Sequence, residues 1–302
     1  LLSRASPVAF PTRPGAAPPL LLQALQERAG HLPASPWASW QRLLWVEARC
    51  AYPCHTVAAG RDHSVFIDAH GRLLTCGVGE LLGLGHRANG VLLGAPTPVP
   101  DLPRVHSVAA GMNHTLVIDD HGDALTFGRN SCGTTGPIHR VALRPEPIPA
   151  LRGERAVAVA VGHQHSLCLT AGGVLYSWGY GGHGRLGHGG SASQSAPLAI
   201  EALRGKRIVA ICAGSEHSLA LTDAGVLYSW GEGHNGQLGH GGRGSRCSPE
   251  TISALHGVRV ATMAAGALHS LATTADGRVY TWGGNNFHQL GHGEAQPALH
   301  AS

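Results

Sequence analysis

The chain has 302 residues, enough for one large or two ordinary domains around a sizeable core. Hydrophobic residues make up 43% and charged residues 13%, with a formal net charge of +4, so the composition indicates a globular protein and argues against a disordered one. No cluster of Lys and Arg stands out, and no stretch approaches the roughly 18 apolar residues of a membrane span, which argues against direct nucleic-acid binding and against a membrane-spanning segment.

The N-terminal part of the sequence differs in composition from the rest. Residues 1–34 are rich in Pro and Ala and are predicted to form a partly disordered leader with room for a short helix. Arg4 and Arg13, with no acid before residue 27, also resemble an organelle transit peptide, so import into an organelle is an alternative. The seven irregularly spaced cysteines favour free thiols in a reducing compartment, and we expect a cytoplasmic or nuclear protein.

Residues 35–50 carry the signals of one amphipathic helix. Ser35 can cap the helix with Pro36 at its first position. Trp37, Trp40 and Leu44 then fall on one apolar face. The favoured interpretation is a cap that covers the first repeat, and the alternative is a helix that docks a partner.

Residues 51–302 are organised as a tandem repeat. An Ala/Val-Gly-x-x-His-Ser/Thr signature occurs five times, about 51 residues apart. Its glycine and histidine are Gly60 and His63, Gly111 and His114, Gly162 and His165, Gly214 and His217, and Gly266 and His269. Glycines follow each histidine at fixed distances, and the last of them are Gly85, Gly136, Gly187, Gly239 and Gly291. Such constant spacing indicates one structural unit per repeat.

Each repeat reads as short strands bounded by glycine. In the third repeat, residues 157–161, 167–170 and 174–178 are rich in β-branched and aromatic residues. A fourth strand is expected near the prolines of each linker, because Pro is tolerated on an edge strand. Four strands in about 50 residues is the size of one propeller blade. Small residues before the signature suit the innermost strand, and larger residues are expected farther out between blades, namely Trp178, Trp230 and Trp282.

The motifs Ala-Gly-x-x-His-Ser, Gly-x-Leu-Tyr-Ser-Trp-Gly and Gln/Arg-Leu-Gly-His-Gly resemble the regulator of chromosome condensation repeat over residues 57–293. The resemblance implies an all-β fold, a β-propeller of these repeats. Rings of this family have seven blades, whereas five units are recognisable here. We therefore expect an incomplete arc of a larger ring, with an atypical five-bladed ring as the alternative.

The constant frame with variable polar positions favours a non-enzymatic scaffold that binds another protein through the loops of one propeller face. The predicted contact residues follow the signature glycines and are Arg61, Asp62, Met112, Asn113, His163, Gln164, Ser215, Glu216, Ala267 and Leu268. The resemblance implies two alternatives, guanine-nucleotide exchange on a small GTPase and a substrate-recruiting region of a larger ubiquitin ligase. The corresponding partners are a small GTPase or the ubiquitin machinery.

No catalytic, cofactor or metal site is predicted. A nucleophile–base pair is a single constellation, so five copies of His beside Ser or Thr favour a structural imidazole that bonds backbone groups of adjacent loops. Several of the 21 histidines form pairs with nearly ligand-like spacing. These pairs are His183/His188, His234/His240 and His288/His292. One member of each belongs to the repeated Leu-Gly-His-Gly turn, which the repeat itself explains.

Overall fold

The computed structural model describes residues 56–84, 91–130, 132–135 and 141–293. The predicted leader at 1–34 and the predicted helix at 35–50 lie outside the described residues. Within the described part, nineteen strands form five antiparallel sheets, one for each repeat. No helix among these residues is both long enough and apolar enough to cross a membrane.

Each sheet is a blade whose strands follow one another in chain order. The first blade contains β1 (Val57–Ala59), β2 (His63–Ile67), β3 (Leu73–Val78) and β4 (Leu92–Pro98). The second contains β5 (Val105–Ala110), β6 (His114–Asp119), β7 (Ala124–Arg129) and β8 (Val141–Pro147). The third contains β9 (Ala156–Val161), β10 (His165–Thr170), β11 (Leu175–Gly179) and β12 (Gln194–Ala199).

The last two blades continue this order. The fourth contains β13 (Ile208–Ala213), β14 (His217–Thr222), β15 (Leu227–Gly231) and β16 (Arg246–Thr251). The fifth contains β17 (Val260–Ala265), β18 (His269–Thr274) and β19 (Val279–Gly283) within the described residues. Short 3-10 turns lie at Gly79–Leu81, Pro149–Leu151, Gly182–Gly184, Glu201–Leu203 and Ser253–Leu255. The predicted all-β propeller fold is confirmed.

The first strands of successive blades lie side by side, with β5 between β1 and β9, and β13 between β9 and β17. The signature glycines make this close approach possible. A Cβ built on Gly214 would lie 2.6 Å from the carbonyl oxygen of Gly266 in the next blade and 2.1 Å from Cε1 of His217. The glycine is therefore required because an imidazole and a neighbouring backbone already occupy the space of a side chain.

Substituting Gly214 by Ala is expected to destabilise the protein by about 2 to 3 kcal/mol, since both obstructing groups are held by packing. The free energy of unfolding, measured by urea denaturation, tests this expectation. Gly190→Ala is the matched control, because no heavy atom lies within 4 Å of a Cβ at that exposed glycine. Equal stability of the two variants would contradict the steric account.

The three predicted tryptophans are completely buried where adjacent blades meet. Nε1 of Trp230 donates to the carbonyl oxygen of Arg185 in the preceding blade at 3.0 Å, and Trp178 and Trp282 make the same bond at their own junctions. The same packing explains why position 187 is glycine. A Cβ on Gly187, which has φ +78°, would lie 2.9 Å from the indole nitrogen of Trp230. The tryptophans thus fill the space between diverging blades, as predicted from the repeat.

The first repeat departs from the constant spacing. In the third blade, Oγ of Ser177 donates to the carbonyl oxygen of Leu186, 9 residues later. In the first blade, Oγ1 of Thr75 donates to that of Leu82, only 7 residues later. The glycine packed against the next blade is accordingly Gly83, which lies against the ring of Phe127. Gly85, the glycine expected from the spacing, is outside the described residues.

The end blades differ from the inner ones in burial. Every residue of β10 and β14 is buried, because these strands have a blade on each side. In β2 and β18, buried residues alternate with partly exposed ones. One face of the first blade and one face of the last are thus partly open to solvent, as expected for an arc rather than a closed ring of five.

Candidate protein-interaction face

The loops between the first and second strands of all blades lie at one end of the arc. Because the strands are antiparallel, the segments that follow the third strands lie at the same end. We call this end the signature face. It consists of the loops 60–62, 111–113, 162–164, 214–216 and 266–268 and of the segments that follow β3, β7, β11, β15 and β19. In every blade the two kinds of segment are joined by a backbone hydrogen bond, such as that from Glu232 N to Glu216 O at 2.9 Å.

All ten predicted contact residues lie in the signature loops, so the fold brings them to one face. Arg61, Asp62, Ala267 and Leu268 are exposed, and the other six are half-buried. Accessible side chains of unlike chemistry on a common backbone frame are what a binding surface requires. Their contact with a partner remains a prediction.

The signature histidines link each blade to the next. Nε2 of His63 lies 2.8 Å from Oγ1 of Thr115, and Nε2 of His114 lies 2.8 Å from Oγ of Ser166. The same pairs recur between His165 and Ser218 and between His217 and Ser270, both at 2.9 Å. The expected backbone partner is therefore wrong for Nε2, which bonds a hydroxyl of the next blade.

The hydroxyl of each such serine has a second partner that fixes the direction of the first bond. Oγ of Ser218 donates its only proton to the carbonyl oxygen of Arg185 at 3.0 Å, the same oxygen that accepts from Trp230. It must therefore accept from His165, which places the imidazole proton on Nε2. Burial lowers the pKa of His217 to about 3 and that of His63 to about 4, so these rings are neutral at neutral pH.

Four charged or titratable side chains form a second feature of the signature face, which we call the His–Glu cluster. They are His183, Glu216, Glu232 and His234. Only Glu216 was among the predicted contact residues. The available signal was that His183 and His234 are the members of their pairs that the repeated turn does not explain, but sequence spacing does not show that two blades bring them together.

An exposed aromatic residue on this face was also missed by sequence reasoning. Phe287 follows β19 and is 87% exposed. It lies in the segment joined to Leu268, whose carbonyl oxygen accepts from Gly284 N at 2.7 Å. In the sequence, Phe287 is simply one residue of a variable loop, and its exposure becomes evident only from the packing.

Sequence and structure comparisons identify similar proteins. Two models of the regulator of chromosome condensation repeat match the chain, one at residues 70–118, 172–221 and 224–273, the other at 105–134, 156–185, 208–237 and 260–289. The chain is 37% identical over 258 residues to the human E3 ubiquitin-protein ligase HERC2, covering 80% of the chain and 5% of HERC2. It is 33% identical over 254 residues to the Bos taurus secretion-regulating guanine nucleotide exchange factor, covering 78% of the chain and 53% of that protein.

The structure of human WBSCR16 superposes with a TM-score of 0.74 at 23% identity, covering 82% of this chain and 65% of that one. This likeness concerns the fold. The chain spans less than two thirds of each of these relatives. The matched ranges contain the signature loops of the second to fifth blades, the inter-blade histidines His114, His165 and His217, and the three buried tryptophans. The chain belongs to the regulator of chromosome condensation (RCC1) repeat family.

Proposed function

We propose that the protein is a non-enzymatic scaffold that binds another protein through the signature face. The observation that carries this proposal is the contrast between frame and surface. The histidines and the hydroxyls of the following signatures are nearly all buried and bonded to each other, whereas the two residues between each Gly and His remain accessible. A frame of this kind holds variable side chains in fixed positions, which lowers the entropic cost of binding.

The chemistry of the signature face changes along the arc. At the first blade it is polar, with an ion pair of 3.7 Å between Arg61 and Asp62. At the fifth blade it is apolar, with Ala267, Leu268 and Phe287 exposed. Exposed aromatic side chains often dominate the energy of protein interfaces. We therefore place the main contact at the fifth blade, around Phe287 and Leu268.

The double variant Leu268→Ala, Phe287→Ala is expected to lower partner capture at least about tenfold, because it removes the aromatic anchor of the interface. Neither side chain is buried, so the free energy of unfolding should change by no more than about 0.5 kcal/mol. The measurement is affinity capture from cell lysate by wild type and variant, with each captured protein quantified by mass spectrometry.

Val279→Ala is the matched control for this experiment. Val279 is also an exposed apolar residue of the fifth blade, 61% exposed, but it begins β19 at the end opposite the signature face. It should capture the partner as wild type does. The signature face is not the binding site if the double variant captures every protein as wild type does and a variant with all ten predicted contact residues substituted does so too.

Guanine-nucleotide exchange is a second candidate, supported by the 33% identity to the secretion-regulating exchange factor. An exchange factor stabilises the nucleotide-free GTPase and so accelerates release of bound GDP. The test is release of labelled GDP from a panel of small GTPases with and without the protein. Acceleration with one GTPase would assign this function, and unchanged release across the panel would exclude it for that panel.

Recruitment of a ubiquitylation substrate is a third candidate, supported by the 37% identity to HERC2. The captured partner would then carry more ubiquitin when the full-length protein is present than when it is depleted. Proteomic comparison of ubiquitylated peptides in the two conditions distinguishes this role from that of a scaffold without a ligase.

A further inference from the structure

The third and fourth blades bring imidazoles and carboxylates together on the signature face. His183 lies in the segment after β11, Glu216 in the signature loop before β14, and Glu232 and His234 in the segment after β15. One ligand atom from each of His183, Glu216 and Glu232 lies within 4.8 Å of the other two. The His234 ring completes the group, because its centroid lies 5.5 Å from that of His183, edge to face, and its Nδ1 lies 3.1 Å from Oε1 of Glu232.

The repeat does not dictate these side chains. The position of Glu216 is occupied by Asp62, Asn113, Gln164 and Leu268 in the other signatures. The position of Glu232, just after the third strand, is occupied by Val78, Arg129, Tyr180 and Gly284. The repeat therefore explains the backbone positions of the cluster. The combination of two carboxylates and two imidazoles is specific to the contact between the third and fourth blades.

Buried side chains donate hydrogen bonds to both carboxylates of the cluster. Arg185, whose side chain is 1% exposed, donates from Nη2 to Oε2 of Glu216 at 2.8 Å and from Nε to the carbonyl oxygen of Gly182 at 2.9 Å. The buried amide of Gln237 donates to Oε2 of Glu232 at 3.2 Å. Outer donors of this kind orient the ligands of protein metal sites.

Arg185 also provides an independent indication of a ligand. Its Nη1 is buried and has no hydrogen-bond partner among the described residues, although Nη2 of the same guanidinium bonds a member of the cluster. A buried N–H without an acceptor is costly. The same guanidinium lies over the Tyr180 ring, with Cζ 4.8 Å from the ring centroid, and the ring does not replace a hydrogen-bond acceptor for Nη1. A water or anion oxygen beside Arg185 would satisfy Nη1, and an oxygen of this kind also completes a metal site with an open position.

The charge and the donor atoms define the class of ion. The two carboxylates and the one guanidinium together carry a net charge of about −1, which attracts a divalent cation. Mixed imidazole and carboxylate ligands suit zinc and similar transition-metal ions, whereas magnesium and calcium prefer oxygen ligands alone. Both imidazoles are exposed. Bond lengths of about 2.0 Å at a tetrahedral ion require ligand atoms roughly 3.3 Å apart, so binding requires the side chains to close from separations of up to 4.8 Å.

We propose that His183, Glu216 and Glu232, with His234 as the fourth ligand, bind one divalent transition-metal ion of the zinc class. The bound ion would connect the third blade to the fourth at the signature face. The prediction of no metal site rested on spacing within single repeats, whereas this site combines residues of two repeats. It is independent of which protein the scaffold binds.

The test uses the chelator-treated and dialysed full chain, with Co²⁺ as a spectroscopic probe and Zn²⁺ as competitor. We expect one equivalent of Co²⁺ to give the visible absorption of a tetrahedral site and Zn²⁺ to abolish it. The variants His183→Ala and Glu232→Gln should each weaken this binding at least about tenfold, since each removes a ligand. Circular dichroism of each variant verifies that the blades remain folded.

His256→Ala is the matched control, because His256 is an exposed histidine outside the cluster, and it should bind Co²⁺ as wild type does. The comparison separates the site from weak binding to the other histidines. An absorption that is absent in wild type, or that persists unchanged in both cluster variants, would overturn the proposal. Because no partner protein enters the measurement, its outcome does not depend on the proposed scaffold function.

Discussion

Lowering the pH from 7.5 to 5 is expected to unfold the protein. The cause is the set of buried signature histidines at the four junctions, which are His63, His114, His165 and His217. Burial lowers the pKa of His114 and of His217 to about 3, that of His63 to about 4, and that of His165 well below 6.5. Each ring is neutral in the folded protein. Nε2 of His114, His165 and His217 donates to a serine hydroxyl of the next blade, and Nε2 of His63 lies 2.8 Å from the Thr115 hydroxyl.

The direction of the effect follows from proton binding. Histidine in the unfolded chain has a pKa near 6.5. Below that pH the unfolded chain therefore binds protons that the buried histidines of the folded chain do not bind. The stabilisation is fully present above pH 6.5 and is lost as the pH falls toward the folded values. Each histidine contributes a slope of about 1.4 kcal/mol per pH unit, and four together about 5 kcal/mol per unit. A typical domain is stable by only about 5 to 15 kcal/mol.

The measurement is the urea midpoint between pH 8 and pH 5. It should be nearly constant above pH 7 and fall steeply below pH 6.5. His63→Gln should reduce the slope by about a quarter, because one of four linked protons is removed. His256→Gln, at an exposed position, should leave the slope unchanged. A midpoint that is flat from pH 7 to pH 5 would contradict the burial of neutral imidazoles at the junctions.

Trp230→Ala is expected to destabilise the protein by about 3 to 5 kcal/mol, the cost of deleting a buried aromatic side chain. The indole is completely buried and packs with residues of the third and fourth blades, including Leu167 and Leu169. Its loss opens a cavity and removes one of the two donors to the carbonyl oxygen of Arg185. The effect should therefore exceed that of any exposed substitution.

The second blade provides the comparison for this experiment. Phe127 occupies the position of the tryptophan there and is also completely buried. Trp230→Phe should consequently cost less than Trp230→Ala, since most of the ring volume remains. Calorimetric or urea unfolding of both variants, with the exposed Phe287→Ala as control, gives the ranking. A loss of less than about 1 kcal/mol in Trp230→Ala would contradict the role of the indole at the junction.

Much of a single blade could be predicted from the sequence. The strands coincide with glycine-bounded runs, and the tryptophans lie between blades, because these features recur at fixed distances within each repeat. The first repeat shows the limit of this reasoning. There the hydroxyl of Thr75 bonds the carbonyl oxygen of Leu82, only 7 residues later, and it is Gly83 that packs against Phe127 of the next blade. Sequence spacing cannot reveal a shift of this kind when the same short motif occurs twice.

The contacts between residues of different blades could largely not be predicted from the sequence. The hydroxyl partner of each imidazole lies 52 or 53 residues away in the next repeat. The approach of His183 to Glu216 and Glu232 likewise joins two repeats. Within one repeat, nothing distinguishes these side chains from ordinary loop residues, and their proximity follows from the angle between blades. The ten predicted contact residues share one face, but which of them a partner touches depends on that partner.

The bond between each histidine and the next hydroxyl has a consequence for the way such arrays change in evolution. Every blade presents an imidazole on one side and a hydroxyl on the other, so all four junctions have the same chemistry and the same direction. Deleting or duplicating one whole repeat by recombination would leave each imidazole facing a hydroxyl. The length of the array can therefore vary without the invention of a new junction, while the loop residues of each copy diverge independently.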